Sequence, residues 1–288
     1  MPRLVTSIEN LTNNYFKKGF VVLPKFLSSD EVKLMNDSWY KIVDKYVDES
    51  EAQLIRNVGE SYGKSGYEIP QKEVNVVYDK KAVDEDRKLL GSKFKGIHTI
   101  GNDLHNKFEA FKNVVFSEEV KTILKALQIG APTVTTSTTL HKWPLTSSEV
   151  PAHQDESFLV AEPHGHITGF WFSLTDATLQ NGCLEFVPMS HRTVPLKTTF
   201  IFTENGLKCI GKQDYLSEVK DSDFEQFPVE KGTLVVFNGL TVHKSKPNET
   251  NEPRHSFQFL LYDKSKAVWH KDNYVRESRF HKFTTIFN

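Results

Sequence analysis

The 288-residue sequence carries 36 Lys+Arg against 37 Asp+Glu, a formal net charge of −1, with 38% hydrophobic, 25% charged and 12% aromatic residues. This composition is that of a globular protein and excludes a wholly disordered, collagenous or coiled-coil chain. The near-neutral balance removes bulk electrostatics as a basis for nucleic-acid binding. Cys183 and Cys209 are the only cysteines. They are too few to staple a fold of this length, which points to a reducing compartment.

No apolar run approaches the roughly 20 residues a membrane helix needs, so no membrane partner is expected. Met1-Pro-Arg-Leu-Val-Thr6 lacks the apolar core of a secretory signal. Arg3-Leu4 with Asn10-Leu11 has the spacing of an amino-terminal peroxisomal address, but Asn10 stands where His or Gln is usual. A cytoplasmic location is therefore expected and a peroxisomal one is not.

Along the chain, Ile8, Leu11 and Tyr15 keep a helical spacing, and residues 19–24 read as a short buried strand. Ser28-x-x-Glu31 is a capping box ahead of Val32, Met35, Trp39, Ile42, Val43 and Tyr46, which share one helix face. Residues 48–66 turn polar and read as a plain surface insertion, with a mobile loop or lid as the alternative. A strand follows at 72–78, then one helix carrying Leu104, Phe108 and Phe111, and another opening at Ser117 and stopping before Pro132. Beyond Pro132 the period changes to strands at 133–140, 167–174, 183–187 (after an Asn181-Gly182 turn), 198–203, 233–237 and 256–262. No alternation of strands and helices appears there, which favours an antiparallel sandwich or barrel with helices packed outside. Length alone allows two domains. The pattern favours one spanning 1–288, with helix-rich support over 1–132, a β core over 133–265 and a tail over 266–288.

His153-Gln-Asp155 is the first chemical candidate, because residues i and i+2 of an extended strand point to one face. The motif alone is weak, since His270-Lys-Asp272 repeats it in a polar tail. Context separates the two. His153 stands beside the strand-rich region, His243 follows a buried strand, and Arg254 opens another. Two His and one carboxylate with open faces suit Fe(II) that must bind a cosubstrate and O₂ together, whereas a closed structural zinc site would want four protein ligands. His164-Gly-His166 reads as a loop and Cys183 as a small core residue. There is no Gly-rich phosphate loop and no nucleophile elbow.

Three segments carry a family resemblance: Pro151-Ala-His-Gln-Asp-Glu-Ser-Phe158; Asp176 to His191, with its Asn-Gly-Cys-Leu and Pro-Met-Ser-His elements; and Gly232 to Pro247 together with Arg254. With Lys18 to Leu27 they resemble the phytanoyl-CoA dioxygenase family of Fe(II)/2-oxoglutarate oxygenases over nearly the whole chain. The resemblance implies a mainly β fold with flanking helices, a double-stranded β-helix (jelly roll, cupin-like). It implies His153, Asp155 and His243 as ligands of Fe(II), and Arg254 as the clamp on the distal carboxylate of the cosubstrate 2-oxoglutarate, with Ser245 as its hydroxyl partner. Trp171 and Thr138 align with cosubstrate-pocket positions. Thr99 aligns where a relative carries a Lys, which leaves His98 as another candidate to reach inward. Glu185 replaces a common Trp, an expected change on the substrate side. With Asp155 present, halogenation is disfavoured.

The implied activity is oxidative decarboxylation of 2-oxoglutarate to succinate coupled to hydroxylation of a substrate C–H. The substrate is expected to be a small molecule other than phytanoyl-CoA. The CoA phosphates would need a basic patch, while Lys80-Lys81, Arg87-Lys88 and Lys93-Phe-Lys95 read as solvated faces. The rival readings are a non-catalytic metal-binding jelly-roll module and a zinc hydrolase.

Overall fold

The structure is a computed structural model that describes residues 7–47, 73–86, 88–203, 206–212, 216–273 and 275–288. The polar loop expected at 48–66 lies outside the described residues. In chain order, α1 (Ile8–Lys18), β1 (Phe20–Leu23), α2 (Ser29–Tyr46), β2 (Asn75–Tyr78), β3 (Ile97–Asn102), α3 (Leu104–Lys107), α4 (Glu109–Val115) and α5 (Glu118–Ala126) precede the long β4 (Pro132–Lys142). Then come β5 (Val150–His153), β6 (Ala161–Glu162), β7 (Ile167–Ser173), β8 (Leu184–Phe186) and α6 (Ser190–Thr193). The hairpin of β9 (Thr198–Thr203) and β10 (Gly206–Gly211) leads to β11 (Glu225–Phe227), β12 (Leu234–Asn238) and β13 (His243–Ser245). The chain continues through β14 (Arg254–Asp263), β15 (Val268–Trp269) and β16 (Thr284–Thr285).

The sheets follow from side-chain alternation. The major sheet runs β1-β12-β7-β14-β4-β3-β2, with β16 also on β4, and the minor sheet runs β11-β8-β13-β5. Their ladders are antiparallel. On β7, Phe170 and Phe172 join Leu234 and Val236 of β12 and Phe257 and Phe259 of β14 in the core beneath the helices. The alternate residues Trp171, Val235 and Phe237 point the other way, onto Leu184 and Phe186 of the minor sheet. One face of the major sheet therefore buries against α1, α2, α4 and α5, and the other closes the interior of a jelly roll. Phe257 illustrates the helix-side core. It is fully buried, with its ring centroid 4.8 Å from that of Phe111 on α4.

The caps read from sequence are in place. Ser28 and Glu31 form both halves of the capping box. Gly19 ends α1 at φ +91°, where a side chain would strike Thr241 and His191, so only glycine joins α1 to β1 this closely. Two expectations need correction. The strands expected at 19–24 and 72–78 form as β1 and β2, but the first part of the chain contributes a third strand, β3, to the major sheet. The strand β3 escaped notice because its apolar residues Ile97 and Ile100 are three apart and it is buried on both faces. The single helix expected around Phe108 is two, broken at that residue. No helix among the described residues is long and apolar enough to cross a membrane.

Candidate metal centre

His153 ends β5 and His243 opens β13, and the two are cross-strand partners in the minor sheet. Asp155 follows in a 3-10 turn over Asp155–Ser157, two residues beyond His153. One ligand atom from each residue lies within 4.8 Å of the other two. Asp155 Oδ1 is 3.3 Å from His153 Nε2 and 3.8 Å from His243 Nε2. His153 Nδ1 meets the carbonyl of Pro151 at 2.8 Å, and His243 Nδ1 meets that of Thr241 at 2.9 Å. A carbonyl can only accept, so each Nδ1 carries the proton and each Nε2 presents its lone pair to the shared centre. The donor set of two imidazoles and one carboxylate, with no fourth ligand of these types in the cluster among the described residues, fits a divalent transition metal that keeps open positions.

The electrostatics agree at His243, whereas at His153 burial is outweighed by the Asp155 carboxylate, which holds the imidazole above its ordinary value. Burial, reinforced by the neighbouring His153, pushes the His243 imidazole down to about 4, so it stays neutral. Burial alone would raise the Asp155 carboxyl, but the two imidazoles outweigh it and hold it below its usual range. The turn itself is anchored from behind. Gln154 donates to the carbonyls of Val194 and Leu240. The buried Glu156 carboxylate accepts from Gly165 N at 2.9 Å and Ile167 N at 3.4 Å.

Arg254 opens β14 and is buried, 1% exposed, with its guanidinium 5.6 Å from the Trp171 ring. Its hydrogen bond runs from Nη1 to Ser256 Oγ at 3.1 Å, while Nε has no partner. Among the described residues no carboxylate pairs with it. Burial lowers its pKa from 12.5 to about 10, still fully charged at neutral pH. Trp171 packs with Phe186 and Phe237, and these two rings lie 5.6 and 5.0 Å from His243. The interior is therefore continuous from the guanidinium to the imidazoles.

The other sequence candidates divide. Trp171 pairs with Gln258, and Gln258 with Thr138, so all three share the interior face. Thr99 pairs with Leu140, two residues from Thr138, and faces inward as well. Ser245 is buried two residues beyond His243, although the hydroxyl that Arg254 contacts is Ser256. That residue was findable, since i+2 on a strand shares a face. Gln258 was findable by the same rule. His98 does not reach inward. As neighbour of Thr99 it takes the opposite face, with Nδ1 3.7 Å from the buried Asp79. Glu185 likewise turns away from the interior shared by Leu184 and Phe186, lying 3.9 Å from both Lys244 and Lys246. Cys183 is a buried core residue, as expected. Lys81 and Lys95, read as solvated, line a cavity of about 420 Å³ with Trp143 and Pro253, and Arg87 lies outside the described residues.

Residues 15–256 match the family model described as Phytanoyl-CoA dioxygenase (PhyH). A Bos taurus protein named phytanoyl-CoA dioxygenase domain-containing protein 1 is 32% identical over 270 residues, covering 90% of this chain and 91% of the relative. Among solved structures, the non-heme alpha ketoglutarate dependent carbocyclase SnoK from nogalamycin biosynthesis aligns with a TM-score of 0.64 at 18% identity, over 97% of this chain and 99% of that one. EctD from S. alaskensis, solved with 2-oxoglutarate and 5-hydroxyectoine, aligns with a TM-score of 0.64 at 15% identity, over 95% and 84% of the two chains. These two likenesses are of fold, whereas the model match and the bovine relative reach further: the chain belongs to the phytanoyl-CoA dioxygenase family.

Proposed function

We propose that the protein is an Fe(II)- and 2-oxoglutarate-dependent dioxygenase, with His153, Asp155 and His243 as the iron ligands. Arg254 holds the distal carboxylate of 2-oxoglutarate, and Ser245, Trp171, Thr138 and Thr99 line the cleft between the two. The observation that carries this reading is the pairing of two incomplete sites in one interior. Three ligand atoms converge with their lone pairs free, and a buried guanidinium lacks a carboxylate. A 2-oxo diacid completes both, chelating metal at one end and accepting a charge-assisted bond at the other.

When bound, iron and 2-oxoglutarate supply O₂ activation and oxidation of a substrate C–H, with succinate and CO₂ as coproducts. The chain's part is placement. The carbonyls of Pro151 and Thr241 fix the imidazole tautomers, Glu156 and Gln154 hold the turn bearing Asp155, and Trp171 with its apolar neighbours keeps water from the guanidinium. The substrate is a small molecule, and we place phytanoyl-CoA outside its preference. The likeness to SnoK, a carbocyclase of nogalamycin biosynthesis, and to EctD, which holds 5-hydroxyectoine, supports small-molecule chemistry. The test is succinate release from 2-oxoglutarate with and without Fe(II), screened across acyl-CoAs, free acids and peptides. Iron-dependent succinate is expected. Activity indifferent to 2-oxoglutarate and O₂ would indicate a zinc hydrolase, and metal retention without turnover a non-catalytic module.

A further inference from the structure

A second cation is buried at the Arg254 end of the interior. Lys142, 0% exposed, is the cross-strand partner of Arg254 in the β4–β14 ladder, so both side chains leave the sheet on the interior face. Its stem runs past Gly182, where a Cβ would stand 2.9 Å from Lys142 Cδ. Its Nζ reaches the carbonyls of Ser148 at 2.9 Å and Ser245 at 3.3 Å. These are its only hydrogen bonds among the described residues, so one of the three ammonium protons stays free. Neither Lys142 nor Arg254 has a carboxylate within ion-pair distance there. A staple between two carbonyls needs only a donor, and positive charge in a closed interior opposes folding unless an anion arrives. On the neighbouring β3 the inward residue is Thr99, which offers no charge.

We propose that Lys142 is the second cation of the cosubstrate pocket, which with Arg254 recognises the distal carboxylate and selects a dicarboxylic over a monocarboxylic 2-oxo acid. This rests on the cosubstrate reading above. Burial, and then the nearby Arg254, lower the Lys142 ammonium from 10.5 to about 7, against the opposing pull of Asp79 and Glu149. The charged groups acting on it are Arg254 from β14, Asp79 after β2 and Glu149 before β5, and the thiol of Cys183 acts on Arg254. Lys246 turns away to Glu185. Arg254 and Cys183 do not titrate near neutrality: burial lowers the first only to about 10 and raises the second above 9.0. A bound carboxylate favours the charged ammonium, so binding weakens as pH rises through 7.

The experiment is calorimetric titration of the Mn(II)-loaded full chain with 2-oxoglutarate and with 2-oxopentanoate, which chelates identically but lacks the distal carboxylate. Lys142→Met is expected to lose about ten- to a hundredfold in affinity for 2-oxoglutarate, the range of one buried charge-assisted bond, and less than about twofold for 2-oxopentanoate. Lys142→Arg should restore most of the loss. In the wild type, affinity for 2-oxoglutarate should fall about tenfold more than that for 2-oxopentanoate between pH 6 and 8. Equal losses for both acids, or none for either, overturn the proposal. If Lys142→Met does not fold, the wild-type comparison decides, and parallel pH profiles for the two acids overturn it. Failure of the cosubstrate reading looks different: Arg254→Met then leaves 2-oxoglutarate affinity unchanged, or the wild type does not bind it.

Discussion

His153 and His243 face each other across the β5–β13 pair with ring centroids 4.2 Å apart, each with its Nδ1 committed to the carbonyl two residues earlier in its own segment. This symmetry makes the Nε2 atoms a preorganised pair and leaves Asp155 as the single anionic ligand. The carboxylate is also what separates a three-ligand face from two loosely held imidazoles.

Asp155→Ala should therefore lose metal while keeping the fold. The side chain is 15% exposed, and the backbone carbonyl that accepts from Phe158 and Leu159 survives the substitution. Stability should change by less than about 1 kcal/mol, while iron retention and succinate production fall by at least about a hundredfold. Metal analysis after dialysis and a succinate assay read the two effects. Undiminished succinate from the variant would sink the ligand assignment.

Arg254→Met should separate function from stability. Breaking a buried ion pair usually destabilises by leaving a charge uncompensated, but here the unpaired charge is the one being removed. Met keeps apolar contact with Trp171 and forfeits the hydrogen bond to Ser256. The melting temperature without cosubstrate should stay level or rise. The stabilisation produced by 2-oxoglutarate should vanish, with about 2–5 kcal/mol of binding lost. A variant that melts well below the wild type yet still binds 2-oxoglutarate contradicts this account.

The convergence of His153, Asp155 and His243 was legible in the sequence because strand geometry makes i and i+2 converge, and because His243 follows the buried run Leu234–Phe237. The interior faces of Trp171 and Thr138 were legible for the same reason, and so was the capping box at Ser28. What stayed hidden depends on pairing between distant strands. His98 and Thr99 are adjacent, and only the register of β3 on β4 decides which of them faces inward. Glu185 lies between two interior residues, so its direction follows once β8 is known to be half of a closed interior. Lys142 looks like any strand-end lysine until Arg254 is placed opposite it, 112 positions along the chain.

Acid should unfold the protein through buried histidines outside the candidate metal centre. Burial is the leading cause in each case, pushing His105 to about 3, His255 and His281 to about 4, and His141 well below its ordinary value. The His141 and His255 Nδ1 atoms are 2.6 Å apart, so one must donate and the other accept, and the accepting ring must be neutral, so the pair cannot take up two protons and keep this bond. Below pH 6.5 the unfolded chain takes up these protons and the folded one does not, so stability falls as pH falls, by about 1.4 kcal/mol per pH unit for each histidine. His153, where Asp155 outweighs burial, and His164, held up by Glu156, have raised values. Their contribution changes above pH 6.5 and does not offset the slope below it. Urea midpoints should drop steeply from pH 6.5 to 5.5; a flat profile over that interval refutes neutral burial of the cluster.

Glu156→Gln should weaken metal binding without touching a ligand. The carboxylate is fully buried and takes N–H bonds from Gly165 and Ile167, with His164 Nδ1 3.4 Å away. It thereby ties the turn bearing Asp155 to the loop ahead of β7. An amide keeps one acceptor but turns its NH₂ toward the Gly165 backbone N–H, which can only donate. The cost is about 1–3 kcal/mol for the mismatched buried polar group, and the turn loses its fixed position behind Asp155. A supporting residue of this kind typically carries about ten- to a hundredfold in metal affinity. Competition against a chelator should show that loss, while Arg254 and Lys142, on the major sheet, keep the distal end of the cleft as it was. Affinity for 2-oxoglutarate at saturating Mn(II) should then change less than affinity for the metal. Equal losses of both, or of neither, would show that Glu156 does not act through the position of Asp155.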